Sequence, residues 1–219
     1  VTPQPTPGTV TRLLLVRHGE TDANASGIFQ GQADIPLNDT GRAQAQAAAQ
    51  RLATFSPDRI VASDLSRAQT TARIIADASG APVFTDPLLR EINIGTWEGK
   101  TPAQVAIEFP WYPEALRSGE DFRRSPAGET AQEAGARIKT SLERIAAEYA
   151  GETVIVVGHG LALRAGLCQA IGLGMEGTQL LGGLWNCSWT EVEVANRWRV
   201  MSYNTVAGLR PTMSAIMAP

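Results

Sequence analysis

RLLLVRH, residues 12–18, is an unbroken apolar run of strand length that stops abruptly in charge, and VIVVGH, residues 154–159, repeats the pattern. Alternation of apolar and polar residues disappears when neither face of a strand meets water, so both runs read as strands buried inside a sheet. DRIVASD, residues 58–64, offers a third. The stretches between them are helical in period. Residues 37–55 place Ala45, Ala48, Leu52 and Phe55 on one face, and residues 66–80 form a second pattern closed by Gly80. The longest helix is predicted from about Glu129 to Ala150, with Ala131, Ala134, Ile138, Leu142, Ile145 and Tyr149 recurring every third or fourth residue. Strands alternating with helices predict an α/β fold: a three-layer α/β/α sandwich with a largely parallel central sheet, whose ligands collect beyond the carboxyl ends of the strands.

Residues 180–204 hold two β-rich runs separated by Ala195 and Asn196, and the alternation in TEVEV suits a hairpin at a sheet edge. Trp97 to Gly128, with five aromatic residues and four prolines, reads as an irregular, lid-like insertion. Val1 to about Thr11 is too rich in proline and polar residues to order itself and is expected to be a loose tail. The remainder, 12–219, reads as one domain.

Composition narrows the function classes. With 43% hydrophobic and 19% charged residues the chain can bury a sizeable core, and its net charge of -3 gives no general attraction to nucleic acid or an anionic membrane. Any anion it binds must be held by a local cluster. Cys168, in an apparent helix, and Cys187, in an apparent strand, have neither zinc-site spacing nor the density of a disulfide scaffold and read as reduced core residues. No stretch has the length and apolarity of a bilayer span, and the first residues lack the pattern of a secretion signal. The expectation is a soluble cytoplasmic protein with no nucleic-acid or membrane partner.

His18 and His159 are the only two histidines, and each follows a buried-strand pattern and precedes a glycine. In a parallel sheet both emerge at one rim, facing a common ligand. Arg17 adjoins the first, and Arg67 opens the helix after the third strand. Guanidinium groups stay charged at any working pH and grip phosphate oxygens with a planar fork. For a proton donor the chain offers Glu91, with Glu98 second. A carboxyl group beside a bound phosphate dianion is held protonated by like charge. The residues alone leave open whether Glu91 does this or pairs with the adjacent Arg90.

Four segments resemble one known family. LLLVRHGETDAN (13–24) is similar to the phosphohistidine signature of the histidine phosphatase superfamily, also called phosphoglycerate mutase-like. SDLSRAQTTA (63–72), LLREINIGTWEGKT (88–101) and VIVVGHG (154–160) resemble its second-arginine, acid-bearing and second-histidine blocks, in the expected order. The resemblance implies that His18 is the nucleophile, that Arg17, Arg67 and His159, with Gly160 beside it, hold the phosphate, and that Glu91 gives the proton. It implies no metal and no cofactor. NIGTWEGKTPAQV and SPAGET resemble the phosphatase branch, with Ala127 and Thr130 as departures, and the basic insertion of glycolytic mutases is missing.

A narrower resemblance, carried by Asn24, Gln30 and the two runs near the C-terminus, is to actinobacterial glucosyl-3-phosphoglycerate phosphatases. It implies hydrolysis of a small phosphorylated metabolite, with Asn24 and Gln30 helping to seat phosphate and substrate, and a homodimer formed through the C-terminal hairpin. The plain alternative for Asn24 and Gln30 is loop stabilisation. Arg117, Arg123 and Arg124 stand either as carboxylate binders or as solvated surface charge. The competing functions are a phosphoglycerate mutase and a catalytically silent relative that binds phosphorylated ligands.

Overall fold

The computed structural model describes residues Thr9–Gly208, so most of the expected tail, Val1 to Gly8, lies outside the described residues. The three apolar runs are strands: β1 (Thr11–Arg17), β2 (Arg59–Ala62) and β4 (Thr153–Gly158), joined by a short β3 (Val83–Thr85). With β5 (Trp189–Val194) and β6 (Trp198–Thr205) they form one sheet in the order β3-β2-β4-β1-β5-β6. The first four strands in that order run parallel, and β5 and β6 are antiparallel.

Burial on both faces explains the unbroken apolar runs. In β1, Leu14 and Val16 point into one core layer and Leu13 and Leu15 into the other, and all four are inaccessible or nearly so. The first layer is closed by α2 (Asp39–Ala53) and α3 (Ser66–Ser79), whose Ala45, Ala48, Leu52, Ala72 and Ile75 face the sheet. The second is closed by α6 (Ala131–Glu148) and α7 (Gly160–Ala170) through Ile138, Leu142, Ile145, Leu163 and Leu167. Truncating any one of these large side chains to alanine costs about 2–5 kcal/mol. The helices α6 and α7 pack backbone-close: a Cβ on Gly166 would overlap Ile138, and one on Gly135 would overlap Gln169. This is the expected three-layer α/β/α sandwich.

Three local expectations are corrected. Thr11 belongs to β1, not to a tail; it is buried and its hydroxyl joins Ala146 to Gly151. Cys187 is not in a strand but in the turn before β5, with φ of 54°, where its N–H closes onto Arg17 O. Both cysteines are free and buried. The 97–128 segment is not irregular throughout. It contains α4 (Pro102–Glu108) and α5 (Tyr112–Ser118), folded over a cluster in which Trp97 and Tyr112 are buried among Phe29, Phe109 and Phe122. Aromatic rings spaced irregularly along the chain carry no helical period, which hid this small core from a periodicity reading. Among the described residues no helix is long and apolar enough to cross a membrane.

Candidate active site

The register of the sheet builds the site. Arg17 of β1 pairs with Gly158 of β4, and Ala62 of β2 pairs with Val157. The next residue on each strand is therefore delivered to one rim: His18, His159 and Ser63. Backbone bonds His18 N–H to Gly158 O (3.0 Å) and Ser63 N–H to Val157 O (2.9 Å) extend the ladder by one step and fix these exits. The two imidazoles lie with centroids 5.1 Å apart and are almost wholly buried.

A hydrogen bond decides the tautomer of His18. Its Nδ1 lies 2.6 Å from Gly19 O, and a carbonyl only accepts, so Nδ1 carries the proton and Nε2 presents its lone pair. Burial, then the charges of Arg17 and Arg67, push its proton affinity well below the ordinary value of 6.5. The ring is a neutral base. Gly19 is required by close approach, since a Cβ there would run into the backbone of Gly41 at the start of α2.

Around it stand donors with spare capacity. Arg17 gives Nη1 to Leu184 O (2.5 Å), and Arg67, 1% exposed, gives Nη1 to Ala33 O and Nη2 to Gly31 O, both 2.7 Å. His159 Nε2 meets Ser63 Oγ at 2.9 Å, and Ser63 Oγ also accepts a long bond from Leu65 N–H. Three buried nitrogens of this group, Arg17 Nε, Arg67 Nε and His159 Nδ1, have no hydrogen-bond partner among the described residues. Buried polar nitrogens are left unmatched in folded proteins only rarely, and a cluster of them around two guanidinium groups marks a place where a ligand supplies the partners. Burial lowers the proton affinity of both guanidinium groups, opposed by Glu91, and of His159, where His18 and the two arginines add to the effect. At Gly160 a Cβ would stand 3.3 Å from Arg17 Nε, so the bare backbone leaves this guanidinium its room at the head of α7.

Comparison with known proteins identifies the family. The profile of the histidine phosphatase superfamily (branch 1) covers residues 13–206. The chain belongs to the histidine phosphatase superfamily. A "Probable phosphoglycerate mutase" of Yersinia enterocolitica is 38% identical over 204 residues, spanning 90% of this chain and 94% of that protein. A mycobacterial glucosyl-3-phosphoglycerate phosphatase solved in complex with VO3 is similar at TM-score 0.81 and 34% identity, over 89% of this chain and 99% of that one. A phosphoserine phosphatase from Entamoeba histolytica in complex with 3-phosphoglyceric acid is similar at TM-score 0.79 and 27% identity, over 90% and 98%. As a histidine phosphatase superfamily member the protein is an enzyme acting on phosphate esters.

In this superfamily member Glu91 does not pair with Arg90, which grips Asp64 through two bonds. Instead its carboxylate accepts from Ala162 N–H (2.9 Å), Leu161 N–H (3.3 Å) and its own neighbour Ile92 N–H, at the positive end of α7. The second candidate, Glu98, accepts from Gln32 N–H and holds the loop that Arg67 also tethers. Asn24 and Gln30 are brought together by Thr21, which caps α1 (Asp22–Ala25): its hydroxyl reaches both side-chain carbonyls, at 3.1 and 2.9 Å.

Sequence reasoning missed Ser63 and Asn186. The first lay inside the quoted third strand, and its position at a strand end matching those of the histidines was the available signal. Asn186, which bridges His18 O and Asn24 Oδ1, carried none, because its loop comes from the far end of the chain. Of the three arginines in the insertion, Arg117 and Arg123 are exposed and paired with Glu114 and Glu133. Arg124 is largely buried, lies over the Phe122 ring and bonds Asp121.

Proposed function

We propose that the protein is a phosphomonoesterase that passes the phosphoryl group of a small phosphorylated metabolite to His18 Nε2 and then to water, without a metal or other cofactor. The observation that carries this reading is the neutral His18 imidazole set among three unmatched buried nitrogens, two of them on guanidinium groups. Nε2 attacks phosphorus in line while Arg17, Arg67 and His159 take up charge on the equatorial oxygens. With Ser63 donating its hydroxyl to Nε2 of His159, that ring offers Nδ1–H to the phosphate. Asn24 and Gln30, whose carbonyls are occupied by Thr21, turn their NH2 groups to the same anion. Glu91 protonates the departing alkoxide as the P–O bond breaks. A water then attacks phosphorus, Glu91 takes its proton, the P–N bond breaks and inorganic phosphate leaves.

The substrate we favour is glucosyl-3-phosphoglycerate, supported by the similarity to the mycobacterial enzyme over nearly its whole length. A mutase is the second reading, favoured by the name of the Yersinia relative. The two separate in one assay. Phosphate release is measured from glucosyl-3-phosphoglycerate, 3-phosphoglycerate, sugar phosphates and an aryl phosphate, with chelator present. We expect release with preference for the glucosylated acid, abolished in His18→Ala with the fold retained by circular dichroism. Isomerisation of 3-phosphoglycerate without release establishes the mutase instead, and full activity of His18→Ala refutes the mechanism.

The pairing edge of β6, with Val200 and Met201 exposed, supports a homodimer through the C-terminal hairpin. Light scattering that gives the monomer mass at micromolar concentration refutes it. Two free thiols fit a reducing compartment, and we assign the protein to the cytoplasm.

A further inference from the structure

Glu91 sits on a stretch with no helix or strand of its own, between a 3-10 turn (Pro87–Leu89) and another (Gly95–Trp97). A proton donor must be held to within about half an ångström of its working place, which a free loop does not achieve. The loop is held by a side chain from elsewhere. Arg137, on α6, donates Nη1 to Leu88 O (2.6 Å) and Arg90 O (2.9 Å), and Nη2 to Glu91 O (3.3 Å). One guanidinium thus gathers three carbonyls of the turn that carries the acid. Arg137 is itself held by Glu129, Nε to Oε1 at 3.1 Å and Nη2 to Oε2 at 2.8 Å. Glu129 reaches the loop as well: its Oε2 accepts from Asn93 N–H (2.8 Å) and its own N–H donates to Asn93 O (2.7 Å).

We infer that Arg137, anchored by Glu129, is a positioning residue for the proton donor, fixing Glu91 through the backbone on both sides of it. The inference depends on the reading of Glu91 as general acid. Neither residue touches the phosphate pocket by any hydrogen bond among the described residues; Gln32, the other side chain on Glu91 O, meets the same carbonyl at 3.0 Å. The clamp also explains the SPAGET segment. Gly128 is needed where a Cβ would stand 2.9 Å from Asn93 O, and Glu129 follows at once.

The test compares an alkyl phosphate, whose alkoxide needs a proton, with an activated aryl phosphate, whose phenolate leaves without one. Arg137→Gln and Glu129→Gln are measured beside Glu91→Gln and the double variant Glu91→Gln/Arg137→Gln, with thermal denaturation of each. A misplacement near 1 Å costs about 100-fold in rate. We expect Arg137→Gln to lose about 100-fold in kcat on the alkyl substrate and less than fivefold on the aryl one, with no further loss in the double variant. Glu129→Gln, which keeps the shape and guards against misfolding of the first, should shift the ratio in the same direction by a smaller factor. Equal losses on both substrates for the Arg137 and Glu129 variants, with Glu91→Gln still discriminating, overturn the positioning role alone. Equal losses for Glu91→Gln overturn the donor reading and this inference with it.

Discussion

Replacing Ser63 with alanine tests how the second histidine is set. Ser63 is inaccessible to solvent, and among the described residues its hydroxyl is the one partner of His159 Nε2. Because Nδ1 is also unmatched, the variant would bury an imidazole with neither nitrogen bonded in the free enzyme. A buried polar group left without its partner costs about 1–3 kcal/mol, which in a domain of this size lowers Tm by about 2–12 °C. The effect on rate has a separate origin. In the arrangement proposed above the serine hydroxyl donates to Nε2 and keeps it unprotonated; without it a ring protonated on Nε2 presents a lone pair to the phosphate. A hydrogen bond to a charged group contributes about 1.5–3 kcal/mol, so kcat/KM should fall by about 10- to 160-fold. Phosphate release under single-turnover and steady-state conditions, with thermal denaturation on the same preparations, reads both quantities. A variant with wild-type kcat/KM refutes the tautomer argument, whatever happens to its Tm.

Other outcomes follow from the same geometry. Arg67→Lys loses the fork that spans Gly31 O and Ala33 O, so inhibition by inorganic phosphate should weaken and kcat/KM fall about 100-fold; unchanged inhibition would remove Arg67 from the pocket. Asn24→Asp keeps every acceptor contact to Thr21 and Asn186 but replaces the NH2 with a charged oxygen. Its Tm should stay close to wild type while KM rises about tenfold or more, and a lost Tm with unchanged KM would make Asn24 only a cap. His18 and His159 are held neutral by burial and neighbouring charge, well below 6.5, so the unfolded chain binds protons that the folded one refuses. Their contribution is fully present above pH 6.5 and is lost as pH falls, at up to about 1.4 kcal/mol per pH unit for each ring. Replacing both with asparagine should flatten the Tm profile below that pH, and parallel profiles for variant and wild type would contradict the sign.

Strand ends were legible in the chain, while neighbours were not. RLLLVRH and VIVVGH announce buried strands, but their adjacency, with β2 on the far side of β4, is a property of the whole sheet. The placing of His18 beside His159 therefore came from the resemblance and from the general rule for parallel sheets. Ser63 escaped because a serine after an alanine at a strand end has no distinguishing chemistry until an imidazole is put against it. Arg90 and Glu91 are adjacent in sequence and were an obvious pair, yet an extended backbone turns successive side chains to opposite sides, one to Asp64 and the other to α7. The aromatic core under the insertion was hidden for the reason given by its irregular spacing, and Cys187 was drawn into a strand by the β-rich residues around it.

The ladder between β1 and β4 works as a ruler. Since one step of parallel pairing sets the gap between the two imidazoles, that gap is tied to the least deformable part of the molecule, where amide protons should exchange with solvent only on global unfolding. The 97–128 segment has no such tie, being short helices and turns outside the sheet. A protein engineer seeking a new leaving group can therefore rewrite its exposed helix positions, such as Ile107 and Leu116, keeping Trp97, Glu98 and Gly128, while the end that handles phosphorus keeps its dimensions.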